Sequence, residues 1–231
     1  MTEHSISQGP ETLNSCTKCG TCCKKGGPAF HNTDASLIES GAIPIKFLFT
    51  LRQGEPAYDN VKDCIVPVET DIVKIKSRIH SATCLFFEEK NRHCGIYEKR
   101  PLECRVLKCW DTGDIVACYA KDRLTRKDLM GNINGLWDMV KDHQETCALP
   151  PILEFVENLK SSGLKDPQRE KAISETIAFD LSIRALAVEK GNMDPEMLDF
   201  LFGRSLPTLL ESLGLCAIRQ NGKLIFKVRQ G

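Results

Sequence analysis

The stretch CTKCGTCCKKGG, residues 16–27, places four cysteines within eight positions, and the last two of them are adjacent. Two residues between thiols allow a tight turn to direct both sulfurs toward one metal ion or cluster, as in zinc fingers and ferredoxins. We therefore expect Cys16, Cys19 and Cys22 to share one metal site. Adjacent side chains point in different directions, so Cys23 is expected to serve a second site or to support the first as an extra thiol.

A second group of cysteines lies in CLFFEEKNRHCGIYEKRPLECRVLKC, residues 84–109. It supplies Cys84, Cys94, Cys104 and Cys109, which can provide the fourth ligand that the first site lacks. Eight thiolates match two sites of four ligands in number. They also suit one iron–sulfur cluster with spare thiols, or one cluster and one zinc ion, and the spacing alone leaves these alternatives open.

The composition argues against several other classes of protein. The chain has 231 residues and 12 cysteines, and its 31 basic and 31 acidic side chains give a formal net charge of zero, without general attraction to nucleic acid or anionic lipid. The first residues are polar, and no apolar run approaches the length of a membrane span. We therefore expect a cytoplasmic protein with no membrane association. Cytoplasmic thiols are kept reduced, which favours metal binding or catalysis over disulfide formation.

The two cysteine groups together resemble the YkgJ-type cysteine-cluster family, described as zinc- or iron-chelating. Its pattern begins CxxCxxCC and continues as C-x-I-Y-x-x-R-P-x-x-C-R, which this chain carries at residues 94–105 as CGIYEKRPLECR. The resemblance covers about residues 16–110 and implies a metal centre that holds an iron–sulfur cluster or zinc. The pattern is also similar to the cysteine cluster of flagellin lysine methylases, and it leaves the reaction open.

The cysteine spacing favours an iron–sulfur cluster of the [4Fe–4S] type over zinc. Structural zinc sites more often use two separated CxxC-like pairs, whereas the second group has gaps of nine, nine and four residues. A cubane cluster accepts ligands from distant parts of a chain. We therefore expect one or two iron–sulfur clusters among the eight cysteines, with zinc as the alternative cofactor.

Three further residues are candidates for additional metal ligands. They are Cys118 and the pair His143 and Cys147, which stand four apart in HQETC and so share one face of a continuing helix. The alternative for the pair is a helix end with a buried thiol, since free cysteine often behaves as a small apolar side chain.

Tyr97, Arg100 and Arg105 lie among the second group of cysteines. We expect them to orient the metal site through hydrogen bonds or to bind an anion. The alternative is that YEKRP only fixes a turn, with Arg100 paired to Glu98 or Glu103.

Capping signals predict where several helices begin. Asp34 is expected to cap a short helix, ASLIES, and Thr125 to cap a helical stretch within residues 124–147. Asp166 followed by Pro167 predicts the start of a long helix.

We expect an α+β fold, mostly α, in two parts. A flexible tail, residues 1–15, precedes a metal-centred, cysteine-rich domain with short strands at residues 16–148. A helical domain follows at residues 149–231 and ends in a β-hairpin around Asn221-Gly222. Helices followed by a hairpin are also the order of a winged helix.

The C-terminal helices are expected to contact a protein partner or a second copy of the chain, because apolar helix faces need to be buried. Nucleic acid is not the expected partner, since the candidate recognition helix SLPTLLESLG carries no base-reading Arg, Lys, Asn or Gln. Asp180 and Arg184, four apart in the long helix, are expected to pair with each other.

The expected function is redox or cluster-dependent chemistry at an iron–sulfur centre, which leaves the enzyme class open between oxidoreductase and transferase. One alternative is a zinc-stabilised interaction or regulatory protein. Another is a cluster-dependent enzyme that transfers methyl or sulfur groups. The sequence has no glycine-rich phosphate loop, GxSxG motif or HExxH motif, so the cysteines remain its main chemical signal.

Overall fold

A computed structural model describes residues 15–79, 81–133, 135–163, 166–220 and 223–229. It has the expected α+β fold, rich in helix, with short two-stranded sheets. The helices in these ranges are α1 (Ala35–Glu39), α2 (Leu102–Val106), α3 (Gly113–Cys118), α4 (Arg126–Met130), α5 (Leu136–Thr146), α6 (Leu149–Ser162), α7 (Pro167–Glu189), α8 (Leu198–Phe202) and α9 (Leu206–Ser212). The strands are β1 (Leu48–Leu51), β2 (Pro56–Asp59), β3 (Cys64–Pro67), β4 (Ile72–Ile75), β5 (Phe87–Glu88), β6 (His93–Cys94), β7 (Leu215–Gln220) and β8 (Lys223–Val228).

A central sheet joins four parts of the chain. Strands β1 and β4 pair antiparallel, and residues 29–31 lie along the other edge of β4, where Phe30 N donates to Val73 O at 2.9 Å. Residues 123–124 extend this arrangement, since Leu124 N donates to Phe30 O at 2.9 Å. We call β1, β4, residues 29–31 and residues 123–124 the central sheet.

The two faces of the central sheet have opposite roles, because successive side chains of a strand point to opposite sides. Phe30, Leu48, Val73 and Ile75 are fully buried on one face. The other face carries Lys74 and lines an open cavity. The same alternation that builds the core therefore leaves a second face free to line a site.

The core beneath the central sheet includes residues from both halves of the chain. Phe200, Leu201 and Phe202 of α8 belong to the same buried cluster as Phe30 and Leu48. A second buried cluster joins α6, α7, α9 and the β7–β8 hairpin. The predicted boundary between residues 148 and 149 stays a prediction, and the first cluster crosses it.

Most of the predicted helix starts are confirmed. Thr125 accepts from Asp128 N and forms a capping box with Asp128, and the carboxylate of Asp166 accepts from the backbone N–H groups of Gln168 and Arg169 at the start of α7. The helical stretch predicted from residue 124 to residue 147 is divided into α4 and α5. Gly135, immediately before α5, has φ of 78°, a left-handed conformation that interrupts a helix.

The C-terminal hairpin is present as predicted, with β7 and β8 paired antiparallel from Leu215 and Val228 to Gln220 and Lys223. The predicted Asn221-Gly222 turn lies outside the described residues, as does the predicted flexible tail up to residue 14. The likeness to a winged helix stays a prediction.

The outer surface of α7 carries two leucines, Leu181 and Leu186, that are about half exposed. The expected protein partner or self-association through the C-terminal helices stays a prediction. In the described part of the chain, no helix combines the length and the apolar composition that crossing a membrane requires.

Candidate metal centre

All eight cysteines predicted as metal ligands line one open cavity of about 1830 Å³. They reach it from three segments: the loop at residues 16–23, the β5–β6 hairpin with the residues before it, and α2 with the turn that follows it. These cysteines are Cys16, Cys19, Cys22, Cys23, Cys84, Cys94, Cys104 and Cys109. The fold thus collects thiols that are up to about ninety positions apart in the chain.

Five of these thiols form the middle of the group, and we call Cys22, Cys23, Cys84, Cys94 and Cys104 the central thiols. The backbone joins two of the three segments directly, since Cys84 N donates to Cys23 O at 2.7 Å. Burial raises the pKa of Cys104, and the nearby Cys84, Cys94 and Cys22 raise it further. Such mutual repulsion between thiolates is what a bound metal removes.

A hydrogen bond joins the thiols of Cys22 and Cys23. Their sulfurs are 3.9 Å apart. The hydrogen bond from Cys23 and, to a smaller extent, the charge of Arg100 lower the pKa of Cys22 to about 6. Because Cys23 donates this hydrogen bond to Cys22, its own pKa is raised. Cys22 is therefore largely a thiolate at neutral pH.

The remaining three thiols lie at the rim of the cavity and are exposed. Cys16 accepts a hydrogen bond from Lys18 N at 3.4 Å. A hydrogen bond with the Thr21 hydroxyl, 3.3 Å from the sulfur, lowers the pKa of Cys19. Cys109 follows α2 and lines the same cavity. We call Cys16, Cys19 and Cys109 the rim thiols.

Two glycines allow the cysteine loop, residues 16–27, to pack closely against Phe87 and Ile75. A Cβ atom at Gly20, where φ is 81°, would stand 2.1 Å from a ring carbon of Phe87. A Cβ atom at Gly27 would stand 2.1 Å from the carbonyl oxygen of Ile75 on β4. No real structure tolerates such contacts, so the loop reaches the cavity only with glycine at both positions.

Buried acidic side chains fix the position of α2 and hence of Cys104. The carboxylate of Asp34 accepts from Leu102 N at 2.9 Å and from Arg105 Nη2 at 3.3 Å. Glu103 accepts from Ala29 N at 2.7 Å, which ties α2 to the edge of the central sheet. Charge-assisted bonds of this kind are stronger than neutral ones, so they hold the ligand helix firmly.

The predicted role of Asp34 as the cap of α1 is wrong. Its side chain makes no capping hydrogen bond to α1, although it accepts from His31 N and stands at the start of that helix. It satisfies the free Leu102 N at the start of α2 instead, 68 positions along the chain. A local capping pattern cannot reveal a distant partner of this kind.

Tyr97 and Arg100 form a rigid pair next to the cysteine loop. Arg100 Nε donates to Tyr97 O at 2.7 Å, and the guanidinium carbon lies 3.6 Å from the centre of the Tyr97 ring. Arg100 therefore binds Tyr97 and not Glu98 or Glu103. Since its charge lowers the pKa of Cys22, Arg100 is placed to act on the centre electrostatically.

The structure does not bring the three additional candidates to this cavity. Cys118 lies on α3 and its thiol faces Ile115 O at 3.6 Å. His143 and Cys147 are fully buried in the other half of the fold. Burial raises the pKa of Cys147 to about 12.

His143 belongs to a buried network around Asp180. The His143 Nε2–H group donates to Asp180 Oδ1 at 2.7 Å, and Arg184 Nε donates to the same oxygen at 2.8 Å, which confirms the expected Asp180–Arg184 pair. Leu206 N donates to the second oxygen at 2.9 Å. Arg52 Nη1 donates to Cys147 O nearby. Two buried guanidinium groups oppose a cation here and favour the carboxylate.

The central thiols do not form a close group of three ligand atoms, as the network around Asp180 does. Among the described His, Cys, Asp and Glu residues, only His143, Cys147 and Asp180 have three ligand atoms within 4.8 Å of one another. Sulfurs around one tetrahedral zinc ion would stand about 3.8 Å apart, from a Zn–S distance of about 2.3 Å. No three of the central thiols have sulfurs within 4.8 Å of one another, although those of Cys22 and Cys23 are 3.9 Å apart.

Comparison with known proteins identifies this part of the chain. Residues 15–123 match the CxxCxxCC family, described as a putative zinc- or iron-chelating domain. No curated protein and no solved structure shows a significant match to the chain. Residues 15–123 are therefore similar to the CxxCxxCC family, and this part of the chain contains every thiol of the cavity.

Proposed function

We propose that this chain is a cytoplasmic iron–sulfur protein that holds a [4Fe–4S] cluster on four of the central thiols and uses it in redox or cluster-dependent chemistry. One observation carries the proposal: thiols from three distant segments of the chain line one common cavity. A [4Fe–4S] cluster takes four cysteine thiolates. The fifth central thiol and the three rim thiols number enough for a second cluster.

The charges around the central thiols support a cluster. Four thiolates with a cubane core leave a net negative charge, which cations nearby stabilise. Arg100 already acts on Cys22, and Lys18 lies 5.2 Å from the centre of the Tyr97 ring beside it. When bound, the cluster supplies one-electron chemistry or a site for a bound cosubstrate. The protein's own groups hold the thiols in place and balance their charge.

The size of the cavity supports chemistry on a second molecule. Its volume of about 1830 Å³ exceeds that of an ordinary small-molecule pocket, which is about 300–1,000 Å³. A cosubstrate beside the cluster would suit a transferase as well as an oxidoreductase.

The first test is chemical analysis of protein purified without oxygen. We expect iron and acid-labile sulfide in equal amounts, about four of each for one cluster. Cys104→Ser is expected to lose most of both. Cys64→Ser is the matched control, since Cys64 is an exposed cysteine on β3 that does not line the cavity. One zinc ion per chain without sulfide would contradict the proposal and favour a zinc-stabilised interaction protein.

A further inference from the structure

The cavity-facing side of the central sheet carries two basic residues on one surface. Ala29 pairs with Lys74, and His31 pairs with Arg123. Directly paired residues share a face of a sheet, and so do residues two apart on one strand. The pairing therefore places Lys74 and Arg123 on the same face, and both line the cavity.

Neither of these cations forms a direct ion pair in the part of the chain that the structure describes. Arg123 Nε donates to Tyr119 O at 2.7 Å, and its guanidinium group lies 5.4 Å from the centre of the Tyr119 ring. Lys74 is partly buried, and its ammonium group has no direct hydrogen bond or ion pair among the described residues. Most other basic side chains that are so enclosed in proteins are paired.

The nearest carboxylate is already engaged. Glu103 accepts from Ala29 N at 2.7 Å, and its other oxygen lies 3.5 Å from His31 Nε2. Burial lowers the pKa of Lys74, the charge of Arg123 lowers it further, and Glu103 acts in the opposite direction. Two cations thus share the influence of one carboxylate that also faces His31, and the thiols of Cys84 and Cys104 are the other acidic groups that act on Lys74.

An apolar surface continues from these cations along the same cavity. Leu51, Ala57, Val68 and Ile72 form a small cluster with Ala29 and line the cavity. A ligand lying here would place an anionic group at the cations and an apolar body against this cluster. Its anionic end would also lie near the metal centre, because Cys84 and Cys104 act electrostatically on Lys74.

We propose that Lys74 and Arg123 bind the carboxylate or phosphate group of a small organic anion, whose apolar part rests on the Leu51–Ile72 side of the cavity. Paired cations in a partly desolvated cavity bind such groups through charge-assisted hydrogen bonds. Neither cation is one of the proposed metal ligands, although both line the same cavity as the thiols. Its use as a cosubstrate site rests on the proposed cluster chemistry.

The test uses the anaerobically purified full chain and three probes with the same apolar body: hexanoate, hexyl phosphate and neutral hexanamide. Calorimetric titration is expected to detect at least one of the two anions, and whichever binds more tightly identifies the preferred head group. Hexanamide is expected to bind at least tenfold more weakly. Equal binding of the amide and the anions would overturn the proposal, as would no binding of either anion.

Variants then assign the binding to the two cations. Lys74→Met and Arg123→Met are each expected to weaken anion binding at least tenfold. Lys62→Met is the matched control, because Lys62 also lines the cavity but is half exposed and lies near Asp59. Anion binding unchanged in Lys74→Met would overturn the proposal.

Iron and sulfide content is measured on every sample, which separates this inference from the proposed function. Anion binding to a protein without iron would support the anion site and contradict the cluster.

If Lys74→Met fails to fold, acetylation of the parent protein is used in place of this variant. The bound anion is expected to protect Lys74 from acetic anhydride while Lys62 reacts as before. Equal labelling of Lys74 with and without the anion would overturn the proposal.

Discussion

Gly20 lies against the ring of Phe87 at the point where the cysteine loop reaches the cavity. Gly20→Ala should displace the loop and reduce the bound metal severalfold, because the added Cβ atom collides with the ring. Gly26→Ala is the matched control: φ is also positive there, at 108°, but nothing lies within 4 Å of an added Cβ atom. It should cost only the backbone strain, about 1–3 kcal/mol. Equal metal loss in both variants would show that the contact with Phe87 is unimportant.

His143 makes the stability of the protein depend on pH. Burial lowers its pKa, and Arg52 and Arg184 act in the same direction, while Asp180 acts against them. The unfolded chain therefore binds a proton at higher pH than the folded chain, and the free energy of unfolding falls as pH drops below about 6.5. His143→Gln should show a shallower decrease between pH 6.5 and 5.5 in urea unfolding. Parallel curves for the two proteins would contradict this assignment.

His31 has the opposite sign and needs to be separated from His143. The Glu103 carboxylate, 3.5 Å from Nε2, raises the pKa of His31. The stabilising effect of His31 is therefore complete below the unfolded pKa and is lost as pH rises through the folded value. Because the His143→Gln variant and the parent both retain His31, the difference between their curves reports His143 alone.

Single residues also show how far the sequence can predict the site. The eight cysteines were found because thiols in this spacing have few other uses, and they all line the cavity. Asp34 and Glu103 were missed as supports of the centre, because their partners are 68 and 74 positions away. Acidic residues are common, and nothing local in the sequence marks a pairing over such a distance.

At the scale of elements, α2 depends on a carboxylate from another part of the chain. Asp34→Ala should destabilise the protein, because it removes the acceptor of Leu102 N and of His31 N. Each buried donor left without a partner costs about 1–3 kcal/mol. The control is Asp114→Ala, since the exposed Asp114–Lys108 pair is worth at most about 1 kcal/mol.

The midpoint of urea unfolding measures this difference. A loss in Asp34→Ala no larger than in Asp114→Ala would contradict the role assigned to Asp34. Metal content measured on the same samples should fall in Asp34→Ala, because Cys104 lies on the helix that the carboxylate positions.

Element boundaries were predicted well where a cap is local and poorly where tertiary contacts decide. Asp166 and Pro167 predict the start of α7 because the capping partners are two and three residues away. The separation of α4 from α5 was not predicted, since the apolar spacing continues through it. Gly135 is the local signal for the break, as a residue that adopts positive φ easily.

At the scale of the whole molecule, α8 joins the C-terminal half to the central sheet. Phe200 is fully buried in the same cluster as Phe30 and Leu48, and Thr50 Oγ1 donates to Phe200 O at 2.7 Å. Phe200→Ala should lower the free energy of unfolding by about 3–5 kcal/mol, the usual effect of removing a buried aromatic side chain. Leu181→Ala, on the exposed side of α7, should cost under about 1 kcal/mol.

The same unfolding curves test how the two halves depend on each other. Because the cluster crosses the predicted boundary, Phe200→Ala should shift a single cooperative transition that fluorescence and circular dichroism report together. Two separate transitions, with only one of them shifted, would show that residues 16–148 and 149–231 unfold independently.

The overall class was predictable because helix patterns and short alternating strands are local features. The order of the strands around residues 29–31 was not, because Phe30, Val73 and Leu124 are brought together by backbone bonds over long separations. The cavity follows from that arrangement, so its basic face could be found only in three dimensions.

The central claim is that the central thiols hold an iron–sulfur cluster, and native mass spectrometry of the anaerobically purified chain tests it most directly. We expect the intact protein to carry the added mass of four irons and four sulfides, and Cys104→Ser to lack it. A parent protein that carries the mass of a single zinc ion, or no added mass, would contradict the account.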